Sequence, residues 1–162
     1  MLRPPDFRQL LRTLCDHQVD FIVIGGVCGV LHGAPVTTFD LDILYANNRA
    51  NNERLLAALL QLDACYRDAT DRVIRPAMSH LAAGKVSLLT TSAGPLDVLG
   101  QVGKGETYEA MLAHSEILEL SRDCRFRILD LPTLIRLKEE LGRSKDRAVL
   151  EILRETLARR IP

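Results

Sequence analysis

The chain has 162 residues, 47% apolar and 26% charged, and its 21 basic side chains balance 21 acidic ones. That apolar share at zero formal charge excludes a disordered chain, and the length suits one domain with a substantial core. With only 4% aromatic residues and no excess of positive charge, the composition also argues against a plain nucleic-acid binder. Met1-Leu2-Arg3-Pro4-Pro5-Asp6 shows no apolar leader, and the stretch from Phe21 to Val36 is too short and glycine-rich to cross a bilayer. A cytoplasmic protein without a membrane partner is expected.

Phe7, Leu10, Leu11 and Leu14 recur at helical spacing and predict an amphipathic helix over 6–17. Phe21–Ile24 is a β-branched apolar run that stops at Gly25-Gly26, which predicts a buried strand followed by a short helix over 26–32. Phe39-Asp40-Leu41-Asp42-Ile43 alternates as a second strand, with Phe39, Leu41 and Ile43 on one face and the two acids on the other. A helix follows from Asn48 to Leu62, with Leu55, Leu56, Leu59 and Leu60 inward, while 63–84 carries no clear period. Val86–Thr90 and Leu96–Leu99 read as strands around a turn at Gly94-Pro95. Tyr108–Ala113 reads as helical, and Ile117–Leu120 with Arg125–Leu129 as a hairpin.

Two helices close the chain, Pro132–Leu141 ended by Gly142 and roughly Lys145–Arg159 with Ser144 as N-cap. The expected architecture is an α/β (α+β) fold: a small mixed β-sheet with flanking helices and a C-terminal two-helix tail. It forms one domain over 1–162, with its core at about 20–130 and the tail at about 131–160. The four cysteines have neither C-x-x-C spacing nor a secretory context, so reduced thiols are expected.

Chemistry is concentrated on the acidic strand. Asp40 and Asp42 lie side by side at i and i+2, and two such carboxylates repel unless a proton or cation sits between them. Hard divalent cations such as Mg²⁺ take carboxylate oxygens and commonly bring phosphates with them. A half-exposed strand with two solvated acids would show the same D-x-D. Upstream, Gly25-Gly26 suits either a close-approaching phosphate or a merely tight strand-to-helix turn. It is neither a dinucleotide fingerprint, since Ile24 stands where glycine is required, nor a P-loop, since no G-K-[ST] follows. Asp97, between Leu96 and Val98, is a third strand-borne acid that needs a partner if buried. Three such acids beside a glycine turn suit two-metal phosphoryl transfer.

The tail adds two inward charges. Lys138 falls within the apolar arc of Leu134, Leu137 and Leu141, and Asp146 within that of Val149, Leu150, Leu153 and Leu157. They either pair with each other or line a cleft. Net charge is uneven as well: 37–121 holds 7 basic and 11 acidic residues, and 122–162 holds 11 and 7. A cation site beside a polyanion site would look like this, as would two mutually attracting faces. The Gly100–Gly105 loop with Lys104 is either a flap over substrate or a plain surface loop.

Gly25-Gly26, Thr38-Phe39-Asp40-Leu41-Asp42-Ile43, Leu96-Asp97-Val98 and Lys138 with Gly142-Arg143-Ser144-Lys145-Asp146 together resemble the DNA polymerase β-like nucleotidyltransferase superfamily. The chain is similar to its minimal single-domain bacterial branch, related to abortive-infection and toxin-type nucleotidyltransferases. The resemblance implies that Asp40, Asp42 and Asp97 form the catalytic, Mg²⁺-holding triad. It places Gly25, Gly26, Thr38, Lys138, Arg143 and Asp146 around the nucleotide, an NTP such as ATP. The implied reaction moves NMP from the NTP to a hydroxyl and releases pyrophosphate. The acceptor is tRNA, a protein side chain or a small hydroxylated molecule, and a homo-oligomer or an antitoxin-like partner is compatible with the branch. The alternative is a catalytically silent nucleotide- or partner-binding module of the same fold, within a toxin–antitoxin-like system. Gly26 stands where many members carry Ser, and Val36 where many carry Arg.

Overall fold

The computed structural model describes residues 3–67 and 70–160. Its element order is α1 (Phe7–Asp16), β1 (Phe21–Ile24), α2 (Gly25–Leu31), β2 (Leu41–Tyr45), α3 (Arg49–Gln61) and β3 (Cys65–Tyr66). Then come α4 (Met78–Ala83), β4 (Ser87–Thr91), β5 (Gly94–Leu99), α5 (Tyr108–Met111), β6 (Ser115–Ser121), β7 (Cys124–Leu129), α6 (Leu131–Leu141) and α7 (Asp146–Ala158). The strands form one mixed sheet in the order β3-β4-β5-β2-β1-β7-β6, parallel at β2/β5 and β1/β7 and antiparallel elsewhere. This is the expected mixed α/β fold with two C-terminal helices.

Local chemistry explains where the helices start and stop. Asp6 accepts from the Gln9 amide at 3.0 Å to open α1, Asn48 from Asn51 at 2.9 Å to open α3, and Asp130 from Thr133 at 2.8 Å to open α6. Gly142, left-handed at φ +61°, ends α6. Helix α7 differs from the expectation, because Lys145 rather than Ser144 takes the N-cap position and no side chain caps it. The preceding turn is closed through the backbone instead, with Asp146 N–H donating to Arg143 O at 3.0 Å and Arg147 N–H to Ser144 O at 3.3 Å.

Three other local expectations shift. The β4–β5 turn lies at Ser92-Ala93, built by the Thr91 hydroxyl, which donates to Gly94 O at 2.7 Å and accepts from the Ala93 N–H at 3.0 Å. Gly94 and Pro95 thereby join β5, with Pro95 opposite Thr90. On α3, Leu55 and Leu59 are buried but Leu60 is exposed. The apolar stripe is therefore narrower than four leucines imply. The unassigned stretch 63–84 contains the two-residue strand β3 and the helix α4.

The core lies on both faces of the central strands. Leu41, Ile43, Leu96 and Val98 are fully buried, each contributing about 1.5–3 kcal/mol over an exposed side chain. Helix α1 packs on β7, β5 and α3, while α2 packs on β1, β2 and α6, and α6 packs on α7. The four cysteines are free thiols, and those of Cys15 and Cys124 meet at 2.7 Å between α1 and β7. Among the described residues no helix is long and apolar enough to cross a membrane.

Candidate active site

Strand register builds the site. Asp42 on β2 lies opposite Ile24 of β1 on one side and Asp97 of β5 on the other. Leu88 of β4 continues the row beyond Asp97. Lateral neighbours in a sheet share a face, so pairing Asp42 with Asp97 puts two carboxylates together, and Ile24 brings the Gly25-Gly26 turn beside them. Asp40 arrives from the segment just before β2. One oxygen from each of Asp40, Asp42 and Asp97 lies within 4.8 Å of the others. Because β2 starts at Leu41, the alternation does not extend back to Phe39. Its ring is 71% exposed rather than packed with Leu41 and Ile43.

The two glycines are shaped to this cluster. Gly25 adopts φ +69°, and a Cβ there would stand 2.1 Å from Asp42 Oδ2, so any side chain would invade the carboxylate. At Gly26 a Cβ would meet Thr38 Oγ1 at 2.6 Å. The Thr38 hydroxyl, which donates to Asp40 O at 3.2 Å, therefore fills the space beside Gly26. A hydroxyl borders this turn even though residue 26 carries none.

The three acids concentrate negative charge at the site. Burial first, and then the neighbouring charge of Asp40, push the Asp42 carboxyl up to about 7, while Lys138, Arg67 and Arg143 pull it back. A hard dication among the three acids would supply the missing charge, and an all-carboxylate donor set with a side-chain-free cradle at Gly25 fits Mg²⁺. The shift carries a pH dependence. Between 3.8, where Asp42 ionises as an ordinary side chain, and about 7, folding takes up a proton there. Its stabilising contribution is complete below that window and is lost as pH rises through about 7. In metal-free buffer, the melting temperature of wild type relative to Asp42→Asn should therefore fall from pH 4 to pH 7.5. Millimolar Mg²⁺ should reverse the fall at the upper end. A parallel pair of pH profiles would show that Asp42 is not held as described.

The inward charges of the tail are paired with each other. Lys138 Nζ lies 3.5 Å from Asp146 Oδ1, and Arg143 Nε donates to Asp146 Oδ2 at 2.7 Å. Burial pushes Asp146 up, but the Arg143 hydrogen bond and the Lys138 charge outweigh it and hold the carboxyl below its ordinary value. The structure shows the pairing, and the positive charges of Lys138 and Arg143 also favour the ionised form of Asp42. The Gly100–Gly105 loop is a closed turn, bridged from Val102 to Glu106 and tied to α6 by Arg136 Nη2 donating to Glu106 at 3.0 Å. Lys104 is exposed on it.

One residue of the site was not read from the sequence. Arg67, just after β3, donates from its guanidinium to Asp97 Oδ1. It lies in the stretch without hydrophobic period, 30 positions from its partner, and no local signal marks it. The described residues thus bring together the three acids, the glycine turn, Thr38 and the cations Lys138, Arg143 and Arg67.

No protein-family model matches the chain, and no curated protein matches it by sequence. Among solved structures, it is similar to one from Thermotoga maritima described as a "putative nucleotidyltransferase". The two are 19% identical, and the match covers 98% of this chain and 96% of that one with a TM-score of 0.57. At that identity the likeness speaks for the fold over nearly the whole length of both chains. The chain has the fold of that nucleotidyltransferase-like structure, with three carboxylates gathered across its β2/β5 pair.

Proposed function

We propose that the protein is a Mg²⁺-dependent nucleotidyltransferase that moves NMP from an NTP, ATP in the first instance, to a hydroxyl acceptor and releases pyrophosphate. The observation carrying this reading is the convergence of Asp40, Asp42 and Asp97 beside a glycine turn that admits no side chain. Asp40, Asp42 and Asp97 would hold Mg²⁺, which offsets negative charge on the phosphates when bound. Gly25 and Gly26 leave the backbone open to the triphosphate, and the Thr38 hydroxyl borders the same turn. Lys138 and Arg143, oriented by Asp146, add positive charge on the Asp42 side of the cluster. Asp97 accepts the proton of the attacking hydroxyl as its oxygen bonds to the α-phosphorus and the bond to pyrophosphate breaks. The protein supplies mainly position and charge. The acceptor class stays open between tRNA, a protein side chain and a small hydroxylated molecule.

The test is ATP titration by calorimetry with and without Mg²⁺. Wild type should bind ATP at least about tenfold more tightly with the metal, since the carboxylates repel phosphate until they are neutralised. Asp42→Ala should erase the difference. The same metal dependence in wild type and Asp42→Ala would remove the acid cluster from the binding site.

A further inference from the structure

Three cations bear on Asp42, and two of them, Lys138 and Arg143, are bound to Asp146. The third, Arg67, is bound directly to Asp97, a member of the acid cluster itself. The Asp97 side chain is 12% exposed and that of Arg67 35%, so the pair sits at the mouth of the cluster rather than beneath it. The Arg67 backbone is fixed, its N–H donating to Leu88 O at 3.0 Å. Leu88 is itself the lateral neighbour of Asp97, so the guanidinium reaches the acid across a single strand. A partly exposed side chain thus reaches Asp97 from an anchored base.

From this placement we infer that Arg67 is an exchangeable counter-cation that gates the acid cluster. Without metal, its guanidinium neutralises Asp97. A dication held by the three carboxylates and a guanidinium on the same Asp97 would repel each other, so metal entry drives Arg67 off the acid. The released side chain, still tethered beside the site, then meets an anion, and the anion delivered there is a phosphate of the nucleotide. Its release also frees the Asp97 oxygen that takes the acceptor proton. The inference rests on the nucleotidyltransferase reading and adds an order of events: metal first, Arg67 transfer second, tight nucleotide binding third. Arg67 is thus a positioning residue that changes partner.

The alternative is that Arg67 simply braces Asp97 in its ligating orientation, and the two roles differ in sign. Mn²⁺ binding to the full chain without nucleotide, read by electron paramagnetic resonance of the free ion, separates them. Under the gate, Arg67→Gln removes the competitor and should tighten Mn²⁺ by about five- to tenfold, while Arg67→Lys, which keeps the charge, should stay near wild type. Affinity for Mn·ATP should move the other way in Arg67→Gln, weakening by about fivefold or more as a phosphate contact is lost. Unchanged or weaker Mn²⁺ binding in Arg67→Gln, with a melting curve showing it folded, overturns the gate and leaves the metal site standing. Should Arg67→Gln not fold, Arg67→Lys decides: a clear tightening of Mn²⁺ despite the retained charge also overturns the gate. Absence of Mn²⁺ binding in wild type and both variants overturns the acid-cluster reading and the gate together.

Discussion

Asp97→Asn should lower nucleotidyl transfer by about 10²–10⁴-fold, the range that a positioned general base contributes. The substitution keeps shape and one hydrogen-bond acceptor but removes the charge that takes the proton. Asp97 lies between Asp42 of β2 and Leu88 of β4 in the sheet, with Leu96 and Val98 buried beside it in β5, and asparagine keeps its volume, so the fold has no reason to respond strongly. Loss of the Arg67 ion pair should cost no more than about 1 kcal/mol, because the guanidinium remains partly solvated. The measurement is transfer of label from α-³²P-ATP to a panel of total tRNA, protein and hydroxylated small molecules. Metal binding should weaken in parallel, since a ligand loses its charge. A variant that labels the same acceptor at the wild-type rate would reassign Asp97 to structure.

Much of this site was legible because strand chemistry is local. A β-branched run ending in two glycines predicts β1 and its turn, and the D-x-D spacing marks Asp40 and Asp42, which converge although Asp40 lies just before β2. The solitary Asp97 between apolar residues calls for a partner; the structure supplies the Arg67 guanidinium as that partner and sets the carboxylate of Asp42 beside it as lateral neighbour. A local pattern misleads where it runs past the end of its element. Phe39 lies outside β2, so alternation no longer governs it, and its ring stands in solvent. Gly94-Pro95 looks like a turn, yet Thr91 closes the turn one step earlier and leaves Pro95 within a strand.

Arg67 was invisible for a different reason. Its role depends on β3, β4 and β5 lying side by side, and a two-residue β3 leaves no periodic trace. The relation of Gly26 to Thr38 is likewise tertiary, joining positions 12 apart through a contact that exists only when α2 docks beside the segment before β2. Sequence pattern reveals which side chains share a face. It does not reveal which faces meet.

Asp146→Ala should strongly destabilise the C-terminal helices. The carboxylate is 7% exposed and engages Lys138 and Arg143 at once, so its removal leaves Lys138, 15% exposed, charged and without that partner. Removing one member of a buried pair costs about 3–5 kcal/mol, and the partial exposure of Lys138 puts the expected loss near the lower end. For a chain of this size that corresponds to a fall of roughly 6–12 °C in melting temperature. Lys138→Met should be milder, because Asp146 keeps the 2.7 Å hydrogen bond from Arg143 and methionine fills the apolar arc of α6. Combining Lys138→Met with Asp146→Leu removes both inward charges and strands only Arg143, whose side chain is 48% exposed and can turn to water. The double variant should therefore recover most of the stability lost in Asp146→Ala. It should not recover Mg·ATP affinity, since Lys138 no longer contributes charge beside Asp42 and Arg143 has lost the carboxylate that orients it. Stability and affinity restored together would make the Lys138–Asp146 pair purely structural and leave Arg67 as the cation that serves the acid cluster.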